Sequence, residues 1–310
     1  MKTAIETLLD SGNEALITFT KKDLLSESVN IERLWTLPRV TKLLHKQQPN
    51  GSWSYPNKNA LLRSATNYDQ YQTYKTVAEL VELYGFTKQH EAIRKAAEYL
   101  FSFQTDQGEF RGMYGNQYSP NYSASITEFL IKAGYTGTRI KASLNWLLTM
   151  RQDDGGWAIP LRTRNHKLDV LTQKTTIEPD TTKPFSHLIT GIVLRPFALL
   201  REHRTTVKDI GPLLADRVFT RDKYPDRRSV AYWTRFTYPY HWTDILSTID
   251  TLTRLGITQH PKLNAIRRWF QHHQHEDGTY NVRVMAGAKY KDVKYWITLQ
   301  YVKVLKRLAG

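Results

Sequence analysis

One local pattern recurs along the chain and limits what it can fold into. QPNGSW (48–53), QTDQGEF (104–110), QDDGGW (152–157) and QHEDGTY (274–280) each run from Gln through a few mostly polar residues to Gly and then, two positions later, an aromatic ring. Glycine just past a helix end takes up the left-handed conformation that side chains resist. One such turn is a helix stop; four of them are a repeat, and a repeat at this spacing marks one supersecondary unit used several times. RDKYPDRR (221–228) is a worn fifth copy, with Lys223 and Tyr224 standing where the others have Gly-x-aromatic in the turn at 221–224. The aromatic anchors are then Trp53, Phe110, Trp157, Tyr224 and Tyr280.

Helical periodicity is strongest just before these turns. HEAIRKAAEYLFSFQ, TRIKASLNWLLTMRQ and PKLNAIRRWFQ each place apolar residues at i, i+3, i+4 and i+7, which predicts helices apolar on one face only. Pro261 falls just inside the start of the last one, where a missing N–H costs nothing. The segments after the turns, such as NYSASITEFLIKAGY, KPFSHLITGIVLRPFALL and AKYKDVKYWITLQYVKVLKRL, are apolar over more of their circumference. One-faced helices alternating with more buried ones predict an outer and an inner layer. With the N-terminal helix as a further inner member there are about eleven helices and almost no strand signal. The expected fold is all-α: a single α/α toroid of five to six helical hairpins over residues 1–310, with loop insertions of unequal size between repeats.

Composition narrows the chemistry. The chain has no cysteine, which removes thiolate nucleophiles, disulfides, Cys-bound zinc and iron–sulfur clusters. No apolar run reaches the roughly 18 residues of a spanning helix, and Glu6, Asp10 and Glu14 interrupt any signal-peptide core, so a cytoplasmic location is expected. Lysine and arginine exceed the acids by 44 to 29, a net charge of +15. Such a field favours an anionic partner, yet the basic residues are spread along the chain in no long block, which argues against nucleic acid. No Walker A loop, G-x-G-x-x-G, HExxH or G-x-S-x-G is present. His272, His273 and His275 form an HHQH cluster at a helix end with no matching carboxylate, so no metal site is expected there, and no cofactor is implied elsewhere.

The Gln…Gly-x-aromatic turns at outer-helix ends resemble the QW motif of squalene–hopene and oxidosqualene cyclases, and related turns occur in protein prenyltransferase β-subunits. The resemblance covers essentially the whole chain. It implies an α/α toroid in which Gln48, Gln104, Gln152 and Gln274 stack on or bond near Trp53, Phe110, Trp157 and Tyr280, tying each outer helix to the next inner one. It also implies an isoprenoid or related lipid as ligand of a central cavity. The zinc set of the prenyltransferases, which includes Cys, has no counterpart here. Class II terpene cyclases protonate their substrate with the middle Asp of D-x-D-D-T-A, and the nearest segment is EPDTTK (178–183). On that pattern Asp180 is the proton donor and Glu178 its tuner, while Thr181 replaces the third acid. The chain is also about half the size of the two-toroid triterpene cyclases, so a single toroid requires a partner or a smaller substrate.

Aromatic and polar residues cluster where a toroid lines its cavity. Tyr68, Tyr71, Tyr122, His187, Tyr240, His241, Trp242, Asp244 and Tyr295 are the expected ligand-binding set, with Tyr74, Tyr290 and Trp296 beside them. Ring faces stabilise a carbocation through cation–π attraction, but this set is wetter than a polyene pocket requires. Two other readings therefore stand beside the cyclase. One is an acidic-polysaccharide lyase with His187 or His241 as base and Tyr240 as acid. The other is a catalytically silent toroid that binds a lipid, a peptide or an acidic partner.

Overall fold

The computed structural model describes residues 1–56, 66–286 and 290–309. In chain order its helices are α1 (Lys2–Leu9), α2 (Glu14–Phe19), α3 (Pro38–Leu44), α4 (Tyr68–Tyr84), α5 (Glu91–Phe101), α6 (Pro120–Lys132) and α7 (Thr138–Thr149). They continue with α8 (Pro160–Thr163), α9 (His187–Leu199), α10 (Ile210–Asp216), α11 (Ile245–Arg254), α12 (Pro261–His272) and α13 (Val293–Ala309). Two short strands, β1 (Arg235–Phe236) and β2 (Arg283–Val284), pair in parallel. The fold class is all-α, built from pairs of one-faced and more buried helices. Ala288 and Lys289, which opened the last expected inner segment, lie outside the described residues.

The chain divides into two compact units, one of residues 32–199 and one of residues 1–31 with 200–310. In the first, α4, α6 and α9 alternate with the one-faced α3, α5 and α7. Burial follows the expected pattern: α9 is buried from His187 through Ala198, whereas α7 buries Ile140, Ser143, Leu144, Trp146 and Leu147 and leaves its other face wet. In the second unit α11 is buried from Ile245 through Thr253 and packs on α13, α12 and α10. The one-faced α12 buries only Leu263, Ile266 and Phe270.

Side-chain amides fix the joints between helices. Gln47 Nε2 donates to the Gly51 carbonyl of its own turn at 3.0 Å and to the Ala92 carbonyl in the first turn of α5 at 2.8 Å. Gln104 repeats this on Gly108 (2.9 Å) and on Arg139 (2.8 Å) in the first turn of α7. Gln274 donates to Gly278 at 3.3 Å. In the third turn the same position, four residues before the glycine, belongs to Arg151, whose Nε reaches the Gly155 carbonyl at 3.0 Å. The expected register therefore needs correction in two turns. Gln48 is exposed one residue past the joint and bonds only locally to Lys46. Gln152 sits at the Gln48 position and instead donates to the carbonyls of Asp180 and Lys183. A Gln-Gln pair and an Arg-Gln pair disguise the register in sequence, because only the distance to Gly is constant.

The aromatic residue anchors the other half of each joint. The backbone N–H groups of Trp53, Phe110 and Trp157 donate to Thr73 in α4, Ser123 in α6 and Thr190 in α9, at 2.9–3.0 Å. Trp53 and Trp157 also donate their indole N–H to the carbonyls of Leu43 and Leu147 in the preceding last turns, which otherwise receive the tighter bonds of the helix end from Lys46 and Met150. In the worn fifth turn this role falls to Trp233, which is fully buried and donates to Thr220, while Tyr224 is half-buried. The expected anchor at Tyr224 is thus corrected by an inserted loop that delays the ring.

Glycine is required at these joints for space as well as conformation. A Cβ on Gly51 (φ +88°) would lie 2.3 Å from the Lys95 carbonyl oxygen in α5, and one on Gly108 (φ +109°) 2.3 Å from that of Ala142 in α7. The fourth turn makes the same approach to Ala4 in α1, where Thr7 also donates to the Asp277 carbonyl. Helix α1 therefore takes the place of a one-faced partner helix, not of an inner member as the sequence implied. Gly137 offers a control, since it has φ +99° but open space around its Cβ position. Gly137→Ala is expected to cost about 1–3 kcal/mol from backbone strain alone. Gly108→Ala is expected to cost more, because α7 must also move; denaturant unfolding of both variants measures the difference, and equal losses would deny the close packing.

Candidate functional site

Residues 32–199 bring a set of tyrosines together. Tyr68, Tyr71 and Tyr74 follow one another at i, i+3 along the start of α4, which stacks them on one helix face. The N-cap Asn67, accepting from the Gln70 N–H, fixes where that helix begins. Tyr122 reaches them from α6, with ring centroids 6.4 Å from Tyr71 and 6.0 Å from Tyr74. Two rings that sequence reasoning missed complete the cluster. Tyr55, just past the Trp53 anchor, lies 5.0 Å from Tyr68, and Tyr114 lies 5.2 Å from Tyr122. Their signal was proximity to the turns, since each follows an anchor by a few residues. Tyr74 is buried, and burial pushes its phenol well above the ordinary range, with Tyr71 adding to the effect. Tyr55, Tyr68, Tyr71, Tyr114 and Tyr122 keep part of their surface exposed.

Beneath the rings lies a buried ionic group. Phe129 packs on Tyr74 and marks the turn of α6 that also carries Glu128. Arg195 of α9 donates through Nε to Glu128 at 2.8 Å, with both side chains almost fully buried. Lys132 bonds Glu128 at 2.7 Å and also Glu82 of α4, so α4, α6 and α9 meet through alternating charges. Burial works to lower the Lys132 pKa, but the two carboxylates outweigh it and hold the ammonium above its ordinary value. Nothing in the sequence pattern singled out this group, because Arg195 reads only as an interruption of an apolar run. Lys75, with its ammonium 5.3 Å from the Tyr71 ring centroid, is shifted the other way, downward, chiefly by burial. His187 is buried at the first turn of α9.

The remaining expected ligand residues belong to the other unit. Tyr240 is buried against Tyr238, which stacks on Trp296. The Arg227 guanidinium lies 3.4 Å over the Trp242 ring, and the His241 N–H donates to Thr237. Tyr295 is half-buried under the Lys294 ammonium. Asp244 requires a correction. Its carboxylate accepts from the Ser247 N–H at 2.7 Å while the Ser247 hydroxyl bonds back to the Asp244 N–H, a capping box that starts α11. The residue is fully buried in that role. Within the HHQH cluster, the ring nitrogens of His272 and His273 lie on the carbonyls of Arg268 and Trp269.

Asp180 and Glu178 also stand differently from expectation. After Trp157 the chain inserts α8 and a long loop before α9, and 178–185 docks that loop on the third joint. The Asp180 and Lys183 carbonyls receive Gln152, the Thr181 carbonyl receives the Asp153 N–H, and Asp154 accepts from the Phe185 N–H. The Asp180 carboxylate accepts the Thr182 hydroxyl at 2.6 Å and the Thr182 N–H at 3.3 Å, with Arg164 at 3.6 Å. The Thr182 hydroxyl, followed by the Arg164 charge, holds its pKa below the ordinary value. A proton donor needs the opposite shift, so the geometry makes Asp180 an ionised turn residue. Glu178 is exposed and accepts from the Tyr118 hydroxyl at 3.1 Å.

Two measurements check these assignments. Because the folded-state pKa is depressed, the contribution of Asp180 to stability is present above its unfolded value and fades as pH falls through the folded one. Carboxyl NMR is expected to place its midpoint below 3.8, and Thr182→Val to move it upward; a midpoint above 3.8 would restore the proton-donor reading. For the buried pair, Arg195→Met leaves Glu128 with Lys132 alone and is expected to cost about 3 kcal/mol, the low end for such a loss. Adding Glu128→Gln is expected to recover part of that cost in a double-mutant cycle.

Residues 55–182, which contain the second and third joints and most of the tyrosine cluster, match the squalene-hopene cyclase C-terminal domain family. No curated protein matches the chain. Among solved structures, a protein from Actinoplanes is similar at 15% identity and a TM-score of 0.46, over 90% of this chain and 88% of that one. A variant of the type II terpene cyclase MstE from Scytonema, in complex with geranylgeranyl dihydroxybenzoate, is similar at 15% identity and a TM-score of 0.41, over 87% and 95% of the two chains. These structural likenesses are too distant to inform chemistry. The family match and the repeated joints agree: residues 55–182, with their Gln-to-aromatic turns, are similar to the squalene-hopene cyclase C-terminal domain.

Proposed function

We propose that this is a terpene-cyclase-like protein that binds an isoprenoid or related lipid at the tyrosine cluster of residues 32–199. The observation that carries this reading is the coincidence of the cluster with the family match: Tyr68, Tyr71, Tyr114 and Tyr122 all fall within 55–182. Several half-exposed rings on two helices offer an apolar chain broad, polarisable contact, and their hydroxyls leave room for an oxygenated end. Positive charge developing on such a ligand would be stabilised by the ring faces. Proton-initiated cyclisation through Asp180 is not part of the proposal, because that carboxylate is held ionised. Binding is therefore favoured over turnover by this acid. No helix among the described residues is long and apolar enough to cross a membrane.

Native mass spectrometry of the purified protein tests the reading directly, with a prenyl mass expected to be retained. A fluorescent prenyl alcohol is expected to bind, and Tyr71→Ala and Tyr122→Ala each to weaken it about tenfold through lost ring contact. Asp180→Asn is expected to leave binding unchanged. A retained oligosaccharide, or prenyl affinity indifferent to both tyrosine variants, would overturn the proposal.

A further inference from the structure

The unit of residues 1–31 and 200–310 holds a second feature that the tyrosine cluster does not use. Strands β1 and β2 pair in parallel with Arg235 directly opposite Arg283. Like charges directly opposite on neighbouring strands repel and destabilise the pair, yet no carboxylate answers either guanidinium among the described residues. Both side chains are exposed, and Arg235 is steadied by the Tyr232 ring 4.9 Å away. The strand positions next to them alternate inward: Phe236 is fully buried on Trp269 and Phe270, which fixes the register and so holds the two cations together.

Beside the two cations lies a cavity of about 700 Å³, lined by both arginines and by Val284, Met285, Val293 and Tyr290 among others. The Tyr290 hydroxyl is already engaged with the Tyr238 carbonyl, so this residue offers the cavity little besides its apolar ring. Arg283 also borders a smaller cavity of about 270 Å³ with Trp269 and His273. The larger volume lies within the range of small-ligand pockets. Its chemistry is asymmetric: two unanswered cations at the strand pair and an apolar wall beyond them. A neutral lipid would leave the repulsion in place, and a small inorganic anion would leave the wall unfilled.

We propose that this pocket binds an anionic amphiphile, a single alkyl chain ending in a carboxylate or phosphate that Arg235 and Arg283 grip together. Guanidinium pairs with such oxygens by short, directed, charge-assisted bonds, and the bound anion would turn the cross-strand repulsion into a bridge. The chain would lie along Val284, Met285 and Val293.

Titration of the full chain with dodecyl phosphate, dodecanoate, dodecanol and inorganic phosphate tests this. Calorimetry is expected to show saturable binding of both dodecyl anions, with dodecanol and inorganic phosphate at least about tenfold weaker, since each lacks one half of the recognition. Arg235→Gln and Arg283→Gln are each expected to weaken dodecyl phosphate about tenfold, with the helical signal in circular dichroism unchanged. Shortening the alkyl chain on the wild-type protein supplies a readout independent of any variant, and affinity is expected to fall stepwise. Inorganic phosphate binding as tightly as dodecyl phosphate would reduce the site to a free-anion site and overturn the proposal. So would dodecanol binding equally well, or binding seen only on anionic vesicles. Because the test uses residues outside 32–199, its failure leaves the tyrosine-cluster reading standing, and loss of prenyl binding in Tyr71→Ala leaves this one standing.

Discussion

A single primary amide does two jobs at the joints on which the rest of this structure depends. Gln47 and Gln104 spend one N–H on the glycine carbonyl of their own turn and the other on a carbonyl in the first turn of the next one-faced helix. The glycine then has to let that next helix come within contact of its backbone, which no residue with a Cβ permits. The aromatic residue two positions later fixes the same turn to a buried helix through its own N–H. Helix end, next outer partner and next buried partner are thereby set by seven residues. Remove the amide and the turn keeps its shape but loses its address.

That economy explains what could be read from the sequence. The helices, their alternation of one-faced and buried surfaces, and the existence of the joints were legible because periodicity and Gly-x-aromatic spacing are local signals. Register was not. Gln48 and Gln152 looked like members of the motif, but the joint counts back four residues from glycine, to Gln47 and Arg151. Arg151 was invisible because the eye follows residue type, whereas the turn needs only a donor at that reach. The Trp233 anchor was hidden in the same way, by an insertion that moved the ring further along the chain than Tyr224.

Legibility of the site follows the same division. That Tyr68, Tyr71 and Tyr122 lie together was legible because helical spacing puts them on helix starts, and the structure brings them beside Tyr74. The Glu128–Arg195–Lys132–Glu82 group was not found, because its members sit on three helices and no spacing in one segment announces them. The capping role of Asp244 was missed for a related reason: an Asp at a helix start near aromatic residues fits a ligand role and a capping box equally well until the Ser247 bonds are seen.

Asp180 shows how the joint constrains the chemistry open to this chain. Where the other turns meet the first turn of a helix, the third turn meets an inserted loop, and 178–185 must imitate a helix start for Gln152 and the Asp153 N–H. To hold that shape the segment uses the Asp180 carboxylate as an acceptor for Thr182, hydroxyl and backbone both. Every hydrogen bond that stabilises the turn in this way stabilises the charged form of the acid, and so works against its giving up a proton on demand. The same carboxylate cannot be optimised as a structural acceptor and as a strong acid. A carboxyl group serving as an acid needs the opposite surroundings, burial or a neighbouring carboxylate that favours its neutral form, and the Asp180 turn supplies hydrogen-bond donors and a cation instead.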